Sequence, residues 1–516
     1  MQALTPTPDP NYGTIAELNG NLVHVENEHN PLMEELRNNS THLYPSISVT
    51  PLKNDPADFD NTHLMDVDSN FYDATVKDIK AALRSQWDER RPMLESLPIY
   101  KPAKQLFDYV YKNYLQENNA MKEHLQFERE QTNVLKCLAW HPHQDRLAVG
   151  HGDNQVYVYE KLDNNLWICQ VLSHQKMQHI RCMEWKRNAG GTLAVGCKEG
   201  VCVWKLPKTT ADDQQPKQTI RYHPSATMRY LTYHNQSYIS SIAWDPTPGS
   251  QLLATVSATS STLVVHDLLL NRTIPLKRYG RGGNHILQWS PSGEWLFVGG
   301  SGGISRLWDT RSWDSRPINN PAGLWVQAAC WSVDSRTLFY SMSGKSTIHL
   351  LHITGTPAKS TIIENEILSM PATTINSVSG TPTEVGGVIR DMCIDPRNGQ
   401  RLSVAFENSE LIAIYSVKQI TPSNMHDHDM LLSLTSLITN QAPIYVFASG
   451  FIRGANIDCS TELLSIKALK DTKPIYISYS STFKGGALLA IAWDNGLISF
   501  VTQNFLTDEE VRKRII

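Results

Sequence analysis

Residues 286–309 constrain the fold of this chain more than any other stretch. They contain three short runs with the apolar alternation of β-strands, separated by two tight turns rich in serine and glycine, at residues 290–293 and 301–303. The unit ends on the dipeptide Trp308-Asp309. Because such a meander has two apolar faces and cannot bury both alone, a stable fold needs further copies of it.

The same meander recurs along the chain. Five copies carry a tryptophan at the end of the first strand, and successive tryptophans lie roughly 40–60 residues apart, near the repeat length of WD40 blades. The sixth and seventh copies lack that tryptophan. The seven copies lie at residues 137–159, 182–204, 242–267, 286–309, 329–351, 392–415 and 475–500.

These repeats predict an all-β fold, a seven-bladed WD40-type β-propeller closed by an N-terminal strand. A short two-helix insertion is expected before blade one. Arranged radially, the blades bury both faces against their neighbours. The side chains expected to determine the blades are Trp140, Trp185, Trp244, Trp289, Trp308, Asp309, Trp331 and Tyr479.

Closure of the ring depends on the N-terminus. A candidate outer strand follows each of the first six meanders, but after the seventh the sequence continues with the charged stretch at residues 508–514. Residues 13–25 are the remaining strand-like sequence, with an Asn-Gly dipeptide typical of a hairpin turn. We therefore expect them to complete blade seven, with Ile15, Leu18, Leu22 and Val23 as closing residues, and so to remove an exposed sheet edge.

The remaining segments are distinguished by composition and periodicity. Residues 30–72 are polar and contain four prolines, whereas apolar stripes of helical period begin near residue 74. The predicted organisation is a closing strand at 11–27, an extended tether at 30–72, a helical segment at 74–130, the propeller at 131–505 and a charged tail at 506–516.

Composition excludes several functional classes. The formal net charge of −4 is close to balance, so no long-range field favours direct binding of nucleic acid or an anionic membrane surface. No run approaches the roughly 18 apolar residues of a membrane span, and residues 1–12 do not resemble a signal peptide. The eight cysteines form no C-x-x-C pair, which is typical of reduced thiols in a nucleocytoplasmic protein.

Several strings imitate catalytic or metal-binding motifs. Residues 299–303 match G-x-S-x-G, but that motif needs a helix after the serine, and here a strand is expected. Residues 344–346 resemble the end of a phosphate loop without its leading glycine. The histidine pairs at 141 and 143 and at 426 and 428 lack further ligands at metal-site spacing. We expect turns and solvated loops at these positions, and no catalytic, cofactor-binding or metal-binding residue.

Three details beyond the blade count carry a resemblance. Residues 279–283 (Tyr-Gly-Arg-Gly-Gly) precede a Leu-Gln-Trp-Ser-Pro turn, residues 138–143 read Leu-Ala-Trp-His-Pro-His, and residues 484–489 read Lys-Gly-Gly-Ala-Leu-Leu. With the N-terminal strand and the helical segment, the chain resembles the aladin family of WD-repeat nucleoporins over residues 11–505. Some members carry a long proline-rich tail that this sequence does not show after residue 505.

The resemblance implies a non-enzymatic scaffold of the nuclear pore complex at the nuclear envelope. Its expected partners are proteins, a transmembrane nucleoporin and other pore subunits, with only indirect membrane contact. Support of nuclear protein import and a role at the mitotic spindle are implied as well. No motif singles out the partner-binding residues or an oligomeric state.

The sequence is also compatible with two other functions. One is a soluble WD40 adaptor, such as a substrate receptor of a ubiquitin ligase. The other is an enzyme that uses the central channel, which would need polar residues converging from several blades, whereas the first strands offer mostly Cys, Leu, Ala and Ile.

Overall fold

The computed structural model describes residues 7–18, 20–26, 29, 43–49, 134–161, 167–206, 220–222, 226–234, 236–276, 282–321, 323–356, 359–419, 444–458 and 465–505. Within these ranges the chain forms 35 strands and no helix. The strands assemble into seven sheets of four to six strands and two short hairpins. The predicted helical segment at 74–130, the tail at 506–516 and most of the tether lie outside the described residues.

The strands follow the predicted meanders. Near the N-terminus lie β1 (Gly13–Leu18), β2 (Asn21–Val25) and β3 (Ile47–Ser48). Blade one contains β4 (Leu135–Trp140), β5 (Arg146–His151), β6 (Val156–Lys161) and β7 (Trp167–Leu172). Blade two contains β8 (Cys182–Trp185), β9 (Thr192–Gly196), β10 (Val201–Lys205) and, after β11 (Ile220–Tyr222), which pairs with β7, the outer strand β12 (Thr227–Leu231).

Blades three to five are uninterrupted four-stranded sheets. Blade three contains β13 (Ile239–Trp244), β14 (Leu252–Ser257), β15 (Ser260–Asp267) and β16 (Arg272–Leu276). Blade four contains β17 (Asn284–Trp289), β18 (Trp295–Gly300), β19 (Ile304–Asp309) and β20 (Asp314–Asn319). Blade five contains β21 (Val326–Trp331), β22 (Thr337–Met342), β23 (Thr347–Thr356) and β24 (Lys359–Ser369).

A hairpin precedes each of the last two blades. The first hairpin is β25 (Thr373–Asn376) with β26 (Pro382–Val385), and blade six contains β27 (Ile389–Ile394), β28 (Arg401–Phe406), β29 (Ile412–Gln419) and β30 (Ile444–Ile452). The second hairpin is β31 (Ala455–Asp458) with β32 (Ser465–Ala468), and blade seven contributes β33 (Pro474–Ser480), β34 (Gly486–Trp493) and β35 (Leu497–Asn504). The sequence did not predict either hairpin.

The seven sheets form a closed ring. The first strand of each blade contacts the first strand of the next, in the order β4, β8, β13, β17, β21, β27 and β33, and β33 returns to β4. Each second strand is almost completely buried because it packs between neighbouring sheets. This architecture confirms the predicted all-β, seven-bladed propeller.

Small residues in the second strands allow neighbouring blades to approach closely. A Cβ atom added at Gly196 would lie 2.4 Å from Cys182 Sγ and 3.0 Å from Ile239 Cγ2 of blade three. A Cβ atom added at Gly299 would lie 2.8 Å from Val326 Cβ of blade five. These glycines are therefore required by the spacing of the blades rather than by an unusual backbone conformation.

The outer strands of the first six blades lie where the sequence indicated them. In blade seven, β1 occupies the outer position and pairs in parallel with β35, with Ala16 opposite Thr502. β2 then pairs antiparallel with β1. Ile15 and Val23 are buried, whereas Leu18 and Leu22 are half-buried.

Candidate functional site

Four of the tryptophans at the ends of the first strands join their blade to the preceding one. In every such tie the indole N–H donates to the backbone carbonyl immediately before the first-turn aromatic residue of the preceding blade. The four ties are Trp140 Nε1 to Ser478 O at 3.3 Å, Trp185 Nε1 to Ala139 O at 3.1 Å, Trp244 Nε1 to Glu184 O at 3.2 Å and Trp331 Nε1 to Gln288 O at 3.1 Å. The predicted blade tryptophans are thus both core residues and hydrogen-bond donors between blades.

Blade seven uses a tyrosine at this position. The hydroxyl group of Tyr479 lies 2.6 Å from Ser403 Oγ of blade six and donates to Gln503 Oε1 at 3.0 Å. Burial raises the pKa of Tyr479 well above its usual range, so the phenol stays protonated and can donate. Because Trp140 Nε1 donates to Ser478 O, the seam between blades one and seven carries the same kind of indole tie as three other seams.

Blade four contains the exception. Trp289 Nε1 donates to Gly293 O at 3.0 Å, within its own turn. The other two predicted residues of this blade behave as blade residues: Trp308 is buried, and Asp309 Oδ1 accepts the backbone N–H of Arg311 at 3.0 Å. Local sequence could not distinguish Trp289 from Trp244, since both end a first strand.

The N-terminal strand is held in the ring by an ion pair as well as by its backbone. Glu17 Oε1 accepts from Arg401 Nη2 at 2.6 Å and from Arg401 Nε at 3.1 Å. The Glu17 side chain is fully buried and that of Arg401 is 11% exposed. Arg401 opens the second strand of blade six, so the pair links β1 to a blade other than the one it completes.

Residues 43–49 form a second N-terminal contact that the sequence did not predict. Tyr44 is buried, with its ring centroid 5.9 Å from that of Phe500 in blade seven and 6.4 Å from that of Trp167 in blade one. Trp167 Nε1 donates to Pro45 O at 3.0 Å, and Ile47 pairs with Ile498. This part of the predicted tether therefore packs across the junction of blades seven and one.

Residues 7–9 make a third contact. Asp9 Oδ1 accepts the backbone N–H of Ser379 at 2.9 Å and the hydroxyl of the same residue at 2.5 Å. Hydrogen bonds from Ser377 and Ser379 lower the pKa of the Asp9 carboxyl. Both serines lie in the turn of the β25–β26 hairpin. The N-terminal segment (residues 7–26 and 43–49) thus contacts this hairpin and blades six, seven and one.

Two carboxylates lie between blades. Glu184 Oε2 accepts the backbone N–H of Trp244 at 2.9 Å, and Asp391 Oδ2 accepts that of Ile477 at 3.0 Å. Desolvation raises the pKa of each to about 7. Each carboxylate accepts a main-chain donor of the next blade and so contributes a hydrogen bond across a blade seam.

Residues that resemble catalytic or metal-binding motifs in the sequence make structural contacts where the structure describes them. Ser301 lies in the turn between β18 and β19, and its hydroxyl accepts the backbone N–H of Gly283 at 3.1 Å. His141 is buried against Trp185 with ring centroids 4.9 Å apart, and desolvation lowers its pKa to about 4. His426 and His428 lie outside the described residues. Across the described ranges, no group of three or more His, Cys, Asp or Glu side chains could hold a metal ion.

The closed ring of seven blades, with its N-terminal segment, can be compared with known families. The family model of the aladin seven-bladed propeller matches residues 116–503. The chain belongs to this family. The family and the propeller fold are typical of non-enzymatic scaffolds. No described helix is long and apolar enough to cross a membrane.

Two individual proteins are similar to this chain. Aladin from Arabidopsis thaliana is 26% identical over 377 residues, which cover 70% of this chain and 74% of the relative. A chain in the crystal structure of a mitotic checkpoint complex is 16% identical, covers 71% of this chain and 89% of its own, and has a TM-score of 0.44.

Proposed function

We propose that this chain is a scaffold subunit of the nuclear pore complex that binds other proteins and has no catalytic activity. In this proposal, a transmembrane nucleoporin anchors it at the nuclear envelope, where it supports nuclear protein import. The observation that carries the proposal is the match of the aladin propeller family to almost the whole ring. The relative named Aladin, aligned over 70% of the chain, supports it further.

The chemistry of the described residues is consistent with a binding role. Several polar groups of the first strands are engaged in ties between blades, as the carboxylates of Glu184 and Asp391 illustrate. The turns and outer strands remain as surfaces for partners. A scaffold needs a rigid frame of this kind, because binding residues are most precise when the elements beneath them are fixed.

We also propose that the N-terminal segment acts as the latch of the ring. Three contacts support this role: the pairing of β1 with β35, the Glu17–Arg401 ion pair and the packing of Tyr44 between blades seven and one. A latch that completes an outer strand removes an edge that could pair with another chain.

Imaging of the full-length chain with a fluorescent tag in living cells tests the scaffold proposal. We expect a continuous rim at the nuclear envelope in interphase, and following the same cells through mitosis tests the implied spindle association. A variant without residues 1–30 should lose the rim, because the latch is missing. The matched control is Lys345→Gln, which changes an exposed residue in the turn between β22 and β23, outside the latch.

Diffuse signal of the full-length chain would overturn the nuclear-pore proposal and favour the soluble adaptor, which copurification with a ubiquitin ligase would then identify. A normal rim of the shortened chain would overturn the latch proposal alone.

A further inference from the structure

The seam between blades three and four is built differently from its neighbours. Four seams carry an indole tie to the preceding blade, whereas Trp289 turns its N–H to Gly293 O of its own turn. Gly293 lies close to blade three, since an added Cβ atom would be 2.4 Å from Thr247 Oγ1. The Trp289 ring therefore forms part of a wall instead of closing the seam.

A groove of about 270 Å³ lies at this seam. Its aromatic wall consists of Trp289 and Trp313, whose ring centroids are 6.2 Å apart at an interplanar angle of 86°. Asp245 of blade three and Glu294 and Arg311 of blade four line the remainder. The groove thus combines two indole rings with carboxylates from two blades.

Trp313 is held in an unfavourable backbone conformation. Its φ of 57° lies in the left-handed region, which bulky side chains rarely adopt. Its backbone N–H donates to Asp309 O at 2.7 Å, which holds the residue in the turn between β19 and β20. Glycine or asparagine would fit the same turn without strain. Strained backbone conformations of this kind are found preferentially at binding and catalytic sites.

The charged groups around the groove leave an excess of negative charge. The guanidinium of Arg311 is 3.5 Å from a Glu294 carboxylate oxygen and 3.8 Å from one of Asp309. Asp245 adds a further carboxylate to the lining of the groove. The charged lining residues are therefore two carboxylates, Asp245 and Glu294, and one cation, Arg311.

We propose that this groove binds an arginine or lysine side chain from a segment of a partner protein. Indole rings attract a cation placed over their faces, and carboxylates form charge-assisted hydrogen bonds with guanidinium and ammonium groups. The inference rests on the proposed scaffold function and gives it one contact surface.

Two exposed leucines on the same side of the ring indicate which residues accompany the basic side chain in the partner segment. Leu269 and Leu270 occupy the turn between β15 and β16, the counterpart in blade three of the turn that holds Trp313, and are 77% and 60% exposed. Two adjacent leucines this exposed can contact apolar residues of a partner segment. The expected partner segment therefore carries apolar residues as well as its basic side chain.

Calorimetric titration of the purified full-length chain tests the groove. The probe is the peptide acetyl-Leu-Arg-Leu-Arg-Leu-amide, compared with versions in which glutamine or glutamate replaces both arginines. The arginine peptide should bind at least tenfold more tightly than the glutamine peptide, and its binding should weaken as salt is raised. Trp313→Gly and Asp245→Asn should each weaken binding at least tenfold. Glycine at position 313 fits the left-handed conformation of the turn, so this variant removes the indole ring without adding strain.

Asp334→Asn is the matched control. Asp334 makes the same turn bond in blade five, accepting the backbone N–H of Arg336 at 3.1 Å, as Asp245 accepts that of Thr247 at 3.0 Å. Unchanged circular dichroism in all variants shows that the fold is intact. Equal binding of the three peptides, tighter binding of the glutamate peptide, or equal effects of the two aspartate variants would overturn the proposal. The titration uses the isolated chain, so a negative result there would not contradict the nuclear-pore proposal. Diffuse signal of the tagged chain in cells would likewise not contradict binding of the peptide to the groove.

Discussion

Replacement of Glu17 by glutamine tests whether the N-terminal strand is locked into the ring. The substitution preserves shape and one acceptor oxygen but removes the negative charge opposite Arg401, whose side chain is only 11% exposed. Loss of one partner from a buried ion pair costs about 3–5 kcal/mol, because the other charge stays desolvated. At about 1.4 kcal/mol per factor of ten, local opening of β1 should increase by roughly two to four orders of magnitude.

Hydrogen–deuterium exchange of the amides in β1 measures that opening directly, and urea unfolding reports the effect on the whole ring. Glu294→Gln is the matched control, because its pair with Arg311 spans 3.5 Å between side chains that are 45% and 54% exposed. Such surface pairs contribute about 0–1 kcal/mol. A double variant, Glu17→Gln with Arg401→Met, should recover part of the loss. Equal exchange in the Glu17 and Glu294 variants would refute the reasoning.

Two further predictions concern the blade seams. Trp140→Ala should lower the free energy of unfolding by about 3–5 kcal/mol, since it empties a core site and removes the tie to Ser478; Trp140→Phe, which keeps most of the volume, should cost clearly less, and equal midpoints in denaturant would contradict this. Glu184→Gln should stabilise the protein by about 1–3 kcal/mol above pH 7 and hardly at all below pH 4.5. The raised pKa of Glu184, about 7 against an ordinary 4.5, means that the folded state holds its proton more tightly, so stability falls as pH rises through this window. Denaturant unfolding of the wild-type and Glu184→Gln chains at pH 4 and pH 8 measures the difference in their free energies of unfolding. A stabilisation that is the same at both pH values would contradict the desolvation argument.

The blades could be predicted from sequence because their pattern is local. Apolar alternation, turn residues and a tryptophan at the end of the first strand all lie within one meander. Tyr479 could be placed as the equivalent of these tryptophans by position alone. Its hydrogen bonds to Ser403 and Gln503 could not be predicted, because they depend on which strands become neighbours.

The contacts of the N-terminal segment were hidden for the same physical reason. Tyr44 lies in a polar, proline-containing stretch that is typical of a tether, and its burial depends on Trp167 and Phe500 far along the chain. Glu17 has no charged neighbour in sequence that would indicate its pairing with Arg401. The aromatic wall of the groove between blades three and four could not be predicted from the sequence either. The orientation of Trp289 depends on the packing of a turn against the adjacent sheet.

The pairing of Gly13–Leu18 with Leu497–Asn504 has a consequence for biosynthesis. A ribosome produces the earlier strand first and its hydrogen-bonding partner almost at the end of translation. Glu17 cannot pair with Arg401 until Arg401 has been synthesised. While most of the chain is made, the nascent N-terminal segment therefore exposes an unpaired carboxylate and an unpaired strand edge. Such non-local pairing slows folding and exposes intermediates to aggregation, so we expect the newly made chain to depend on chaperones until translation is complete.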